Sequence, residues 1–525
     1  MYICSRNSKN LIDLPSMRMM NMLFRQICCI LLVLAAHTAS AQRLGCVHGL
    51  PQTRSDNVHS LPEPFNFDPQ RVYRQPVVLV TFSDVNFSMG NPVAYYNRLL
   101  NEKGYNDGVG PGCLADYIRD QSGGRANIQF DIYGPVQVSE KAGGHQREYM
   151  GRPIISEALK KLCETVKTDF SIYDWDDDGE VDQVILVAAS YSGNNKTGYI
   201  WPNTGWVSDT LPGDIECRIA SISSELWPDN AMYGIGTIAH EYFHCLGLPD
   251  IYPQAPAQGY STVDEWDLMD GGNYINYGWC PPNLSAMEKM YLGWGSPTEL
   301  TESTSIENMR PVNDGGETFI IRNPGNKDEF YLLENRQQEG WDYGCPGKGL
   351  LIFHVNYSQN NWWNNNVNSV DSRYNYHLFH ASGKDYRAWD SKNNGSDPNR
   401  WTMKDKLRSS YLSTSPYPYT DPTTLAVNDS LTDNSDPASI LYRANTDGRE
   451  FMGKAITGIR QQDDGSISFN FMRPETVAVT DLAADGEPAV TGWYDLNGRR
   501  LSSTPRRPGL YIVLYSDGTK KCCRH

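Results

Sequence analysis

The 525-residue sequence has no apolar run of membrane-spanning length, only ten histidines, fewer basic than acidic residues, and no repeat of fixed period. Its longest apolar run, Ile27 to Ala36, has ten residues, whereas a helix needs about 20 to cross a bilayer. With 46 Lys and Arg against 62 Asp and Glu, the formal charge is -16, which repels phosphate backbones and excludes nucleic acid as the expected partner. Hydrophobic residues make up 39% and charged residues 21%, which excludes both a membrane bundle and a disordered chain. Cysteine is too sparse for a disulfide scaffold: of 12, Cys4, Cys28 and Cys29 fall in the leader discussed next, leaving nine. The Gly, Pro, Tyr and Trp content favours turn-rich, sheet-containing architecture.

Arg18 and Arg25, then the ten-residue apolar run, then Ala39-Ser40-Ala41, form the order of a secretory signal. The expected organisation is a signal peptide over 1–41, a short segment over 42–70, an α/β domain over 71–297, a β-sandwich or jelly-roll over 298–474, and a linker with a small β-domain over 475–525. Val77 to Phe82 and Val181 to Ala189 read as buried strands, Leu114, Tyr117 and Ile118 have helical spacing, and Met232 to Leu246 is apolar at helical intervals. Phe319 to Ile321, Phe330 to Leu333 and Gly349 to Val355 read as strands, and the Asn-rich stretch from Asn360 to Asn368 as a loop in which Trp362 and Trp363 pack locally or bind sugar.

The chemistry is carried by His240-Glu241-Tyr242-Phe243-His244. On a helix, positions i and i+4 share a face, so both imidazoles reach one ion with Glu241 beside them. Gly247 ends the helix in a left-handed conformation, and Leu248-Pro249-Asp250 then delivers a carboxylate as third ligand. Two imidazoles and one carboxylate leave a fourth position for water, the layout of a catalytic zinc site. Trp266-Asp267-Leu268-Met269-Asp270-Gly271-Gly272 sets Met269 in a tight turn; this order is similar to the metzincin clan, where such a turn lies beneath the zinc.

Together with Val78 to Asp84, Asp116 to Ser122, Tyr173 to Asp182, Leu292-Gly293-Trp294 and Leu332 to Arg336, these motifs resemble the immune inhibitor A-like family of secreted bacterial metallopeptidases. The resemblance implies a metzincin-like domain and a zinc-dependent endopeptidase acting on extracellular proteins. His240, His244 and Asp250 would be the zinc ligands, Glu241 the general base and then acid toward a metal-activated water, and Met269 the Met turn. Tyr252, Tyr260 and Tyr274 are candidates for stabilising the oxyanion. The rival reading is a surface adhesin or glycan-binding protein with a degenerate peptidase domain, against which intact Glu241 argues.

Asp174, Asp176, Asp178, Glu180 and Asp182, with Gly179 for the turn, give a truncated calcium-type loop, so a structural calcium ion is expected there. Cys46 is a candidate cap on the zinc in a latent form, with a free thiol or disulfide as the alternative. Trp493 to Leu501 and Pro508 to Leu514, with Asn-Gly and Asp-Gly turns, read as short strands. They resemble the C-terminal sorting domain of the type IX secretion system of Bacteroidetes. That resemblance implies secretion machinery as a partner and a secreted or outer-surface location.

Overall fold

The computed structural model describes residues 65–105, 107, 109–144, 151–192, 199–252, 261–369, 373–384, 412–473, 490–496, 499–501, 504–505, 509–515 and 519–524. The signal-like leader, Cys46, Tyr260, Asn497-Gly498 and Asp517-Gly518 lie outside them. The chain divides into two compact units, Met1–Arg473 and Pro474–His525.

The first unit opens with a mixed sheet. Strands β1 (Tyr73–Thr81), β2 (Ile128–Gln137), β3 (Glu180–Val181), β4 (Val184–Tyr191) and β6 (Ile215–Leu226) run parallel in the order β2-β1-β4-β6-β3, and β5 (Asn203–Leu211) pairs antiparallel with β6. Residues 77–80 of β1 and 184–189 of β4 are apolar without interruption because both faces of the sheet are covered there. Val77, Leu79, Ile185 and Val187 point into one core, and Val78, Val80, Leu186 and Ala188 into another. Helices α1 (Pro92–Asn101), α2 (Leu114–Gln121) and α4 (Gly236–Cys245) fill the first core, and α3 (Arg152–Thr165) fills the second. The expected helix through Leu114, Tyr117 and Ile118 is α2, whose three apolar residues are fully buried.

Beyond α5 (Ala286–Tyr291) the chain turns to β-structure. A five-stranded sheet has the order β12 (Tyr376–Leu378), β11 (Gly349–Asn356), β10 (Asn326–Arg336), β9 (Phe319–Asn323), β7 (Thr298–Glu299). It packs on a three-stranded sheet of β15 (Ile456–Gln461), β16 (Ile467–Phe471) and β8 (Thr304–Met309). Alternation along the strands shows how this sandwich joins the first half. Tyr331, Leu333, Leu350 and Ile352 face the sandwich interior, while Phe330, Leu332, Leu351, Phe353 and Val355 enter the core that holds Tyr242 and Phe243 of α4. The Asn-rich stretch is partly helical, with α6 at Gln359–Trp363, and Trp362 is buried against Tyr357.

A buried cation fastens the two halves. Arg336 of β10, fully enclosed, donates through Nε and Nη2 to Asp342 (both 2.8 Å) and through Nη1 to Glu334 (3.0 Å). Its Nη2 also reaches the carbonyls of Asn283 (3.0 Å) and Trp266 (3.4 Å), which flank the methionine turn and α5. Glu334 in turn accepts from Ala286 N–H at the start of α5 (2.6 Å).

In the second unit β18 (Arg500–Leu501), β17 (Val490–Tyr494), β19 (Leu510–Tyr515) and β20 (Lys520–Arg524) form an antiparallel sheet in that order, so the short strands expected there are present. The described cysteines, Cys113, Cys163, Cys217, Cys245, Cys280, Cys345, Cys522 and Cys523, are all free. Among the described residues no helix is long and apolar enough to cross a membrane.

Beside the Arg336 lock, Glu288 caps α5 by accepting from Ser285 N–H (2.6 Å) and faces the carboxyl of Asp267, which is itself buried. Burial pushes the Glu288 carboxyl up to about 7, and burial plus the Glu288 charge holds Asp267 well above the ordinary carboxylate range. A carboxyl raised on folding contributes stability that is complete below its unfolded value, 4.5 for Glu288, and is lost as pH rises toward the folded value of about 7. The thermal midpoint should therefore fall between pH 5 and pH 8. Glu288→Gln, which keeps the cap and removes the charge, should flatten that slope and be the more stable form at pH 8 by on the order of 1–3 kcal/mol. Parallel pH profiles for the two proteins would contradict this account.

Candidate metal centre

All ten residues of α4 are buried, so its polar side chains, Thr237, His240, Glu241 and His244, are enclosed along with its apolar ones. Gly236 opens the helix where the chain passes close to its neighbour: a Cβ there would stand 2.3 Å from the Asn273 carbonyl. The helix ends in a Schellman motif, with Leu248 N–H on the Phe243 carbonyl and Gly247 N–H on the His244 carbonyl, both 3.0 Å, and Gly247 at φ +101°. The chain thus reverses within three residues. Leu248 brings its own carbonyl back to Nδ1 of His244 at 2.8 Å.

His240, His244 and Asp250 meet in this reversal. Nε2 of His240, Nε2 of His244 and Oδ1 of Asp250 form a triangle with every edge 3.1 Å. Nδ1 of His240 lies 2.9 Å from the Leu268 carbonyl, so both imidazoles give their Nδ1–H to backbone and turn the Nε2 lone pairs inward. Three ligands placed tetrahedrally about 2.0–2.1 Å from a zinc ion stand about 3.3 Å apart, so this donor set fits zinc with one face open. Burial opposes the charge on Asp250, but His244 and His240 outweigh it and hold the carboxyl well below its ordinary range.

Glu241 projects beside the triangle from the next helical position, and burial raises its carboxyl above the ordinary value against the pull of His240, His244 and Thr204. Thr204, near the start of β5, donates its hydroxyl to Glu241 Oε2 at 2.8 Å and lies 3.0 Å from the Glu241 carbonyl. Met269 is fully buried, and its turn acts through backbone: Leu268 holds His240, and the Met269 carbonyl accepts from Ile251 N–H at 2.9 Å. Of the tyrosine candidates, Tyr252 stacks over His240 with centroids 6.4 Å apart and hydrogen-bonds Asp250, while Tyr274 is half-buried within the field of Glu241.

Two contributors were not singled out from the sequence. Thr204 lies on an edge strand 37 positions before the glutamate it touches, and Asn365 lies in the segment expected to be a loop. Asn365 Nδ2 donates to Asp250 Oδ2 at 2.7 Å, and its Oδ1 accepts from Asp250 N–H at 2.6 Å. Nearby Asn368 donates to the Ile251 carbonyl at 2.9 Å. The only available signal was the density of asparagine, which marks turns as readily as a clasp.

In the acidic loop, Asp174, Asp176 and Asp178 converge to within 4.8 Å, and Gly179 makes the expected turn at φ +89°. The other two expected ligands are engaged elsewhere. Glu180 pairs with Arg218 at 2.6 Å, and Asp182 accepts from Trp175 N–H at 2.6 Å. Asp174 also accepts from the backbone of Asp178 (3.1 Å) and Gly179 (2.9 Å), so much of the loop's shape comes from its own hydrogen bonds.

Comparison with known proteins places this centre in a recognisable class of segment. Residues 202–294, from β5 through α4 and the methionine turn to the end of α5, match the catalytic-domain model of the immune inhibitor A peptidases, family M6. The chain is also similar to the pre-pro-metalloprotease PrtV of Vibrio cholerae serotype O1 (strain ATCC 39315 / El Tor Inaba N16961), 23% identical over 239 residues, or 38% of this chain and 26% of that protein. Immune inhibitor A of Bacillus thuringiensis subsp. alesti is 25% identical over 271 residues, 41% of this chain and 39% of its own length. The matched region thus spans about a quarter to two-fifths of these relatives, and it is homologous to metalloproteases.

Because Gly247 alone in the helix terminus takes a positive φ, Gly247→Ala should cost about 1–3 kcal/mol, seen as a lower midpoint in chemical denaturation. An alanine variant as stable as the parent would show that the reversal does not depend on this conformation.

Proposed function

We propose that this chain is an exported zinc-dependent endopeptidase that hydrolyses extracellular proteins. The observation that carries the reading is the 3.1 Å triangle of His240, His244 and Asp250 with the buried Glu241 carboxyl within electrostatic reach of all three. The M6 match over the same residues supports it. A binding protein with a degenerate site would have no use for a buried carboxylate braced next to a metal position.

His240 Nε2, His244 Nε2 and Asp250 Oδ1 would hold the ion, which when bound supplies a Lewis acid that lowers the pKa of water from about 16 to about 7. Glu241 takes the proton from the attacking water and later gives it to the leaving amine nitrogen. Thr204 occupies Oε2, which leaves Oε1 to carry that proton. The raised affinity of the buried carboxyl for a proton suits it to both steps. Tyr274 and Tyr252 are the remaining candidates for binding the oxyanion, and Tyr252 already donates to Asp250. Among the described residues β5 pairs only with β6, so its outer edge offers backbone groups to an extended peptide directly beside Glu241.

The basic-apolar-small leader over 1–41 and the four-stranded terminal sheet support export by signal peptide and type IX machinery. For the acidic loop we propose a calcium site built on Asp174, Asp176 and Asp178, with a structural role. Calcium chelation should then lower the thermal midpoint of the zinc-loaded protein, with recovery on adding calcium back; indifference to chelation would remove the site.

The central test is Glu241→Ala assayed on casein. Cleavage should fall at least about a hundredfold while zinc remains bound at one equivalent. Undiminished proteolysis would refute the mechanism, and a parent protein that neither binds zinc nor cleaves casein would refute the function.

A further inference from the structure

We propose that Asn365, from the β-rich half of the first unit and outside the segment matched to M6, is a positioning residue for the metal ligand Asp250 and sets the affinity of the site for its ion. This inference rests on the reading of His240, His244 and Asp250 as a metal centre.

Asp250 ends the reversal after α4, where a lone carboxylate can rotate, bind through either oxygen, or swing away from the imidazoles. Asn365 removes those freedoms. One side-chain amide grips two atoms of the same residue: Oδ1 accepts from Asp250 N–H (2.6 Å) and Nδ2 donates to Asp250 Oδ2 (2.7 Å). With Oδ2 occupied, only Oδ1 points into the triangle, so the carboxylate is presented through one oxygen. The amide is the functional group for this task, since it offers a donor and an acceptor side by side and carries no charge to repel the carboxylate.

The surroundings hold Asn365 in place. It is buried, it adopts φ +51°, a conformation that asparagine tolerates better than most residues, and its N–H bonds the Trp362 carbonyl at the end of α6. Trp362 is buried in the core shared with α4. Three positions further on, Asn368 accepts from the backbone N–H of Asn375 and Tyr376 (both 3.0 Å) and donates to Ile251, Thr262 and Tyr376. The Asn-rich segment therefore grips Asp250 and Ile251, one through each asparagine.

The test compares Asn365→Gly, which keeps the left-handed backbone, and Asn365→Asp, which keeps size and backbone preference but replaces the donor by a second carboxylate. Zn2+ affinity is measured by chelator competition, the metal-free thermal midpoint by calorimetry, and the ligand field from the visible spectrum after Co2+ loading. Outer partners of metal ligands typically contribute about 10–100-fold in affinity, so both variants should bind Zn2+ about 10–100-fold more weakly and show an altered Co2+ spectrum, with Asn365→Gly keeping its metal-free midpoint. Zn2+ affinity within twofold of the parent and superimposable Co2+ spectra would overturn the inference while leaving the metal centre standing. A metal-free midpoint that falls while affinity holds would equally overturn it, as the mark of a purely structural residue. Failure of the parent itself to bind Zn2+ or Co2+ would overturn the metal reading, and this inference with it.

Discussion

Three lone-pair donors, each 3.1 Å from the other two in a buried site, are the arrangement on which the first unit is organised. Such atoms repel unless a cation lies among them, so they converge only where the fold holds each from behind. The holding groups are backbone carbonyls and an amide, Leu268 for His240, Leu248 for His244 and Asn365 for Asp250, with the Tyr252 hydroxyl also on Asp250. Each comes from a different stretch of chain. Leu248 is supplied by the helix's own reversal, Leu268 by the methionine turn, and Asn365 by a segment more than a hundred residues downstream. The local motif supplies the three candidate ligands, and the rest of the unit fixes their directions.

Those outer groups need fixing in their turn, and Arg336 does much of it. A guanidinium with no solvent exposure is costly unless its donors are matched. Here Asp342 and Glu334 neutralise it, and the carbonyls of Trp266 and Asn283 take the remaining reach of Nη2. Trp266 begins the turn whose Leu268 carbonyl orients His240. A strand of the second sheet thereby braces the turn that orients His240 on α4, through one side chain and one short turn.

The site was legible wherever it is local. The four-residue spacing of His240 and His244, the glycine at 247 and the arrival of Asp250 follow from helix geometry and the freedom of glycine, and the structure brings those three side chains, which could hold a metal ion, together. Strands β1, β4, β10 and β11 were legible for a similar reason, since buried strands leave continuous apolar runs. Thr204 and Asn365 were not, because a hydroxyl on an edge strand or an amide among asparagines acquires its role only from what lies opposite. Glu180 and Asp182 fit the spacing of a calcium loop, yet Arg218 and the Trp175 N–H compete for them. Local pattern sees the cluster of carboxylates and misses those partners.

The same distinction decides what the smallest working piece of this protein is. Composition suggests that the chain changes from an α/β domain to a β domain near residue 297, and the matched peptidase segment ends at 294. A cut there would strip the core around α4 of Phe330, Leu332, Leu351, Phe353 and Val355, all of them buried against it. It would also remove Arg336 from behind the methionine turn and Asn365 from Asp250. What remains would keep every residue of the metal motif and lose two of the constraints that aim its ligands, along with one wall of its core. Physically, then, the candidate metal centre belongs to the whole compact unit that ends at Arg473, and the β-rich half is the wall on which the loop carrying Asp250 is hung.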